Sequence, residues 1–113
     1  MGSKTWNDPA FPKPLTKRHN VVVTNNLKMV GPHELVSGNP EDILQMRNDN
    51  PIIIGGASIF TMFYPFIDVI RLSIFTERYD CDTFIPLNDI LYDFHVTSKD
   101  TYDNFTHFKL VRR

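Results

Sequence analysis

The chain has 113 residues, a formal net charge of -1, 42% hydrophobic residues and one cysteine, Cys81. That length supports one domain with a small core, and the near-neutral charge offers no bulk attraction for nucleic acid or an anionic membrane. A lone cysteine excludes an internal disulfide and a multi-thiolate zinc site, which fits a reducing compartment.

The opening "MGSKTWNDPAFPKPL" lacks the apolar run of a signal peptide, and the apolar stretches are well short of the ~20 residues of a membrane helix. The cytoplasm is therefore the expected location. "FPKPLTKRHN" holds two prolines and reads as a rigid, basic loop. "VVVTN" is β-branched and predicts a buried strand over 21–25. "NLKMVGP" is a polar connection with a Gly-Pro break, and "HELVSG" predicts a brief strand.

"NPEDILQMRNDN" carries helix signals in order. Asn39 caps, Pro40 suits the first turn, and Glu41 and Asp42 favour the positive end of the helix dipole. Ile43, Leu44 and Met46 form part of an apolar face. "PIIIGG" reads as a second buried strand, apolar at consecutive positions as in a sheet covered on both faces. "ASIFTMFYPF" predicts a short helix ended by Pro65, and "DVIRLSIFTERY" a third strand. "DCDTFIPLND" reads as a loop. "ILYDFHVTS" and "NFTHFKLVRR" read as a terminal hairpin across which His95 and His107 could face each other. This order predicts an α/β fold: a mostly parallel central sheet, flanking helices and a C-terminal antiparallel hairpin.

Gly55 and Gly56 stand between an apolar strand and a helix, where open α/β sheets bind ligands. Glycines there let backbone approach a ligand closely. The amides of Ala57, Ser58 and Ile59 would then face a phosphate at a helix start. A plain tight turn is the competing reading of the pair by itself, because the three-glycine dinucleotide fingerprint is absent. The four histidines are scattered, with no metal-ligand spacing. No metal is expected.

"IIGGASIFTMFYPFID" resembles the second half of the dihydrofolate reductase family. "MGSKTW", "KPLTKRHNVVVTN", "CDTFIP" and the aromatic-rich ending on Arg112 and Arg113 resemble the same family, in its order, across Met1 to Arg113. The resemblance implies a dihydrofolate-reductase-like domain over 1–113. It also implies reduction of 7,8-dihydrofolate to tetrahydrofolate with hydride from NADPH, as in one-carbon metabolism.

It further implies roles for individual residues. Lys4 and Thr5 fall where the cofactor phosphates are contacted, although Ser3 replaces the usual arginine. Thr24 and Asn25 fall at the adenosine part. Gly55, Gly56, Ala57, Ser58 and Ile59 form the pyrophosphate cradle, with a cis Gly-Gly peptide, and Phe60 lies near the nicotinamide. Arg18 matches the arginine that grips the substrate's glutamate carboxylate by a guanidinium fork. Leu15 would pack on the p-aminobenzoyl ring and Lys13 supply a second cation. Ser73 matches a hydroxyl that supports the catalytic carboxylate. Asp82 and Thr83 match a loop that steadies the active-site loop, where Cys81 replaces a glycine.

The resemblance starts in the family's second strand. It implies that the first strand, the active-site loop and the first helix with its catalytic carboxylate lie outside these residues, so no catalytic acid is assigned. A late start, a split gene and a decayed remnant all fit. Apolar strands left with open edges are expected to need a complementing segment or self-association. Weak or absent turnover by these residues alone is the corollary. Two alternatives stay open. A riboflavin-pathway reductase would lack "KPLTKRHN" and "CDTFIP", and a catalytically inactive remnant would bind NADPH without turnover.

Overall fold

A computed structural model describes residues 1–113 except 27, 29, 30, 32 and 46–49. It forms two units, Met1–Tyr64 and Pro65–Arg113. Met46 of the expected helix face, with 47–49, lies outside the described residues, as does part of the "NLKMVGP" connection.

The first unit holds α1 (Ser3–Asn7), β1 (Val21–Val23), β2 (Glu34–Val36), α2 (Pro40–Gln45) and α3 (Ala57–Phe63). β1 and β2 pair in parallel, Val22 opposite Leu35. Parallel neighbours cannot be joined by a tight turn, which fits the wide separation of β1 and β2 in sequence. Asn39 caps α2 as its sequence requires: Asn39 Oδ1 accepts from the Asp42 amide at 3.0 Å. Ile43, Ile59 and Phe63 are buried together, with Val23, Val36, Leu44 and Ile53 packed against them. Trp6 is 3% exposed. Its ring packs on His33 at 4.4 Å between centroids and on Phe11 at 6.0 Å.

The second unit holds β3 (Val69–Phe75), α4 (Leu87–Asp93), β4 (Phe94–Thr101) and β5 (Phe105–Arg112), after a 3-10 turn at Tyr64–Phe66. Its sheet is antiparallel in the order β3-β5-β4. Ile70, Ile90, Phe94 and Leu110 are buried.

Four expectations need correction. Among the described residues there is no single, mostly parallel sheet: they form a two-stranded parallel sheet and a three-stranded antiparallel one. The segment 51–56 is not a ladder strand. Its isoleucines are apolar enough for one, but strand identity needs a hydrogen-bonded neighbour, and Ile52 is 68% exposed. The stretch 87–93 is helix, not strand or loop. Leu87 and Ile90 are spaced i, i+3, which puts both on one helix face. The expected hairpin is present, but its register sets His95 opposite Val111 and His107 opposite Asp100, so the two histidines do not face each other.

Candidate functional site

The first unit brings two helix starts together. Gly2 precedes α1 and Gly56 precedes α3, and neither has a side-chain cap. The Gly2 amide donates to the Gly55 carbonyl at 2.9 Å, which ties the two starts to each other. The first amides of a helix have no partner inside it. They carry the positive end of the helix dipole.

The bend itself has the torsion that glycine permits. Gly55 has φ 109°, and the Gly55–Gly56 peptide is cis. A Cβ placed on Gly56 would meet only Thr5 Oγ1, at 3.7 Å. The space over this bend is therefore open, and Thr5 borders it. Lys4 and Ser58 are exposed, while Ala57 and Phe60 are half-buried. Ile59 differs: its side chain is 6% exposed and belongs to the core, so only its backbone faces the bend. Phe60 packs against Tyr64 with centroids 5.7 Å apart. Thr24 closes β1: its Oγ1 accepts from the Asn26 amide at 3.1 Å and its own amide donates to Val36. Asn25 is exposed beside it.

A cavity of about 550 Å³ lies in the same unit. Val21, Val23, Ile43, Ile53 and Phe63 line its apolar walls, and Leu15 and Arg18 also line it. Leu15 and Arg18, the two substrate residues named from the resemblance, are thus brought to one cavity.

Asn20 positions them, a role not read from the sequence. It is 6% exposed. Its Oδ1 accepts from the Leu15 amide at 3.0 Å, and its Nδ2 donates to the carbonyls of Leu15 and Arg18 at 3.1 and 2.9 Å. The signal was an asparagine directly before a strand and after a basic loop, a pattern that also reads as an ordinary turn. Lys13 is turned inward to the helix: its Nζ donates to the Trp6 carbonyl at 3.0 Å and sits 5.9 Å from the indole centroid.

Ser73 belongs to the second unit. Its hydroxyl is hydrogen-bonded to His107 Nδ1 at 3.1 Å on an exposed sheet face. Asp82 and Thr83 are exposed and bonded to each other, and Cys81 is a free, exposed thiol. No helix among the described residues is long and apolar enough to cross a membrane.

Two helix starts without side-chain caps thus meet at a glycine bend, in the unit that also holds a cavity lined in part by Arg18; amides at a helix start suit an anion. The comparisons give the family. The family model described as dihydrofolate reductase matches residues 1–111. The dihydrofolate reductase of Ureaplasma parvum serovar 3 is 30% identical over 109 residues, covering 93% of this chain and 67% of that protein. A bifunctional dihydrofolate reductase-thymidylate synthase of Daucus carota is 31% identical over 106 residues, covering 79% of this chain and 20% of that one. A solved dihydrofolate reductase from Enterococcus faecalis, complexed with NADP(H) and RAB-propyl, shares the fold with a TM-score of 0.75 at 21% identity, over 89% of this chain and 66% of its own. The chain belongs to the dihydrofolate reductase family. It spans about two thirds of the Ureaplasma relative and a fifth of the carrot protein.

Proposed function

We propose that this chain serves NADPH-dependent reduction of 7,8-dihydrofolate to tetrahydrofolate, as the larger part of a dihydrofolate reductase. The observation that carries the reading is the open glycine bend between two uncapped helix starts. The residues present fit the cofactor: the volume a side chain at Gly56 would fill is free, with Thr5 beside it. When bound, NADPH supplies the hydride.

The chain's own residues bind and orient. The backbone at Gly55 to Ile59, together with Thr5 and Lys4, would hold the diphosphate, and Thr24 and Asn25 the adenosine end. Phe60 would border the nicotinamide. Arg18, held by Asn20, would present its fork to the glutamate carboxylate of the substrate. Leu15 would pack on the ring before it, with Lys13 as a second cation and Ser73 in support of the catalytic carboxylate. Cytoplasmic location follows from that chemistry as part of the same reading. A complementing segment or a second copy would cover the exposed apolar residues at 52 and 54.

A second reading is NADPH binding without turnover. It is favoured by the cavity lining, which contains no aspartate or glutamate among the described residues. Titration of the chain with NADPH, followed by NADPH oxidation with dihydrofolate present, separates the two. No saturable NADPH binding would overturn both.

A further inference from the structure

Lys17 is the one residue other than glycine with a positive φ among the described residues, at 58°. That is the left-handed region, which side chains other than those of Asn and Asp rarely enter and β-branched ones almost never do. Lys17 stands third in the stretch Leu15-Thr16-Lys17-Arg18, with the turn at Thr16 and Lys17. Turns with a positive φ at that place take glycine or asparagine there. The chain around it is fixed on both sides. Asn20 holds the carbonyls of Leu15 and Arg18 through Nδ2, at 3.1 and 2.9 Å, and the Leu15 amide through Oδ1 at 3.0 Å. Asn20 is itself anchored to β2: its carbonyl accepts from the Glu34 amide at 2.8 Å, and His19 Nε2 meets Glu34 Oε1 at 3.1 Å. One side-chain amide reaches both carbonyls only if the chain reverses within Thr16 and Lys17. Lys17 makes that reversal with its backbone. Its side chain is exposed and is not among those lining the cavity, whereas Leu15, Thr16, Arg18 and His19 are. Among the described residues the Arg18 guanidinium has no partner.

We propose that Lys17 is a positioning residue: its left-handed backbone, not its charge, sets Arg18 beside Leu15 at the cavity, with the guanidinium open to a carboxylate. The inference rests on the preceding reading, in which Arg18 grips the carboxylate of the substrate's glutamate. A reversal of four residues brings its first and last together, and here those are Leu15 and Arg18. The guanidinium fork needs a fixed approach, because bidentate pairing is directional. A residue that rejects the left-handed region opens the turn, takes Arg18 away from Leu15 and pulls one carbonyl off Asn20. A residue that accepts the region without a charge changes none of this. Lys17 therefore governs affinity for the carboxylate end of the substrate and leaves the ring end alone.

The test measures, by equilibrium dialysis with the whole chain, binding of 7,8-dihydrofolate and of 7,8-dihydropteroate, the same molecule without its glutamate. The parent should prefer dihydrofolate by about tenfold, the size of one charge-assisted pair. Lys17→Gly and Lys17→Asn should keep that preference and unfold at or above the parent's denaturant midpoint. Lys17→Val should reduce it to about twofold or less, with dihydropteroate affinity unchanged, because valine does not hold the left-handed region. A merely structural loss would weaken both ligands alike. The proposal is overturned if Lys17→Val keeps the preference or weakens both ligands equally, or if Lys17→Gly or Lys17→Asn loses the preference. Should Lys17→Val not fold, Lys17→Thr, also β-branched, takes its place, and Lys17→Gly and Lys17→Asn decide alone if that fails too. Failure of the preceding reading shows in the parent instead: equal binding of the two ligands, or of neither, overturns the carboxylate role of Arg18 and this inference with it.

Discussion

Asn20 makes three hydrogen bonds to the loop that carries Leu15 and Arg18, from a position 6% exposed. Asn20→Ala deletes all three and leaves loop carbonyls partly buried. The expected cost is about 2 kcal/mol, a few net bonds' worth, read as a lower denaturant midpoint with an unchanged slope. The two glycines behave differently from each other. Gly55 has φ 109°, so Gly55→Ala strains the backbone, by about 1–2 kcal/mol. Gly56 has no positive φ and an open neighbourhood, with the nearest atom at 3.7 Å from an added Cβ. Gly56→Ala should leave the unfolding midpoint nearly unchanged while cutting NADPH affinity by about tenfold, since backbone could no longer approach the diphosphate closely. A variant that unfolds, or one that binds NADPH as tightly as the parent, would contradict this. The resemblance made Gly55 and Gly56 legible. Asn20 was not legible, because what makes it matter is the fold of the loop around its amide.

Among the elements, α2 and α3 were legible because their ends are written in local chemistry: Asn39 and Pro40 before one, the glycine pair before the other. α4 was not, since Ile90, Leu91 and Tyr92 suit a strand as well as a helix. Burial of Ile90 against the second unit's core decides for helix. The segment 51–56 failed for the opposite reason: its residues favour a strand, but a strand is a relation between two chains. The Met1–Gly2 rung gives a pH signature that belongs to this element. The Met1 amine has its pKa lowered from 8.0 by burial. Between the lowered value and 8.0 the unfolded chain binds more protons than the folded one, so stability rises with pH across that window. Above it the curve levels off. N-terminal acetylation should remove the slope, as followed by thermal unfolding over the same pH range.

At the scale of the whole chain, the family and the order of its motifs were legible, whereas the sheet architecture was not. Hydrophobic runs mark segments that suit a strand but not which edges meet, and so not which of them pair. The same fact bears on activity. β3 is an outer strand of its sheet, with Val69, Ile74 and Phe75 exposed by 46, 44 and 54%. Ile52 and Ile54 are exposed in the other unit. Open apolar edges invite association, and the cavity has no carboxylate among the described residues to assist proton transfer. Hydride addition to a carbon–nitrogen double bond needs a proton on the nitrogen, and a positioned acid typically contributes 10²–10⁴-fold. The purified chain should therefore bind NADPH yet oxidise it with dihydrofolate at a rate lower by about that factor than the same chain preceded by a strand and a helix that carries a carboxylate. The measurement is the loss of NADPH absorbance, with and without the added segment, in the presence and absence of an antifolate. Fast, antifolate-sensitive turnover by the chain alone would contradict this expectation.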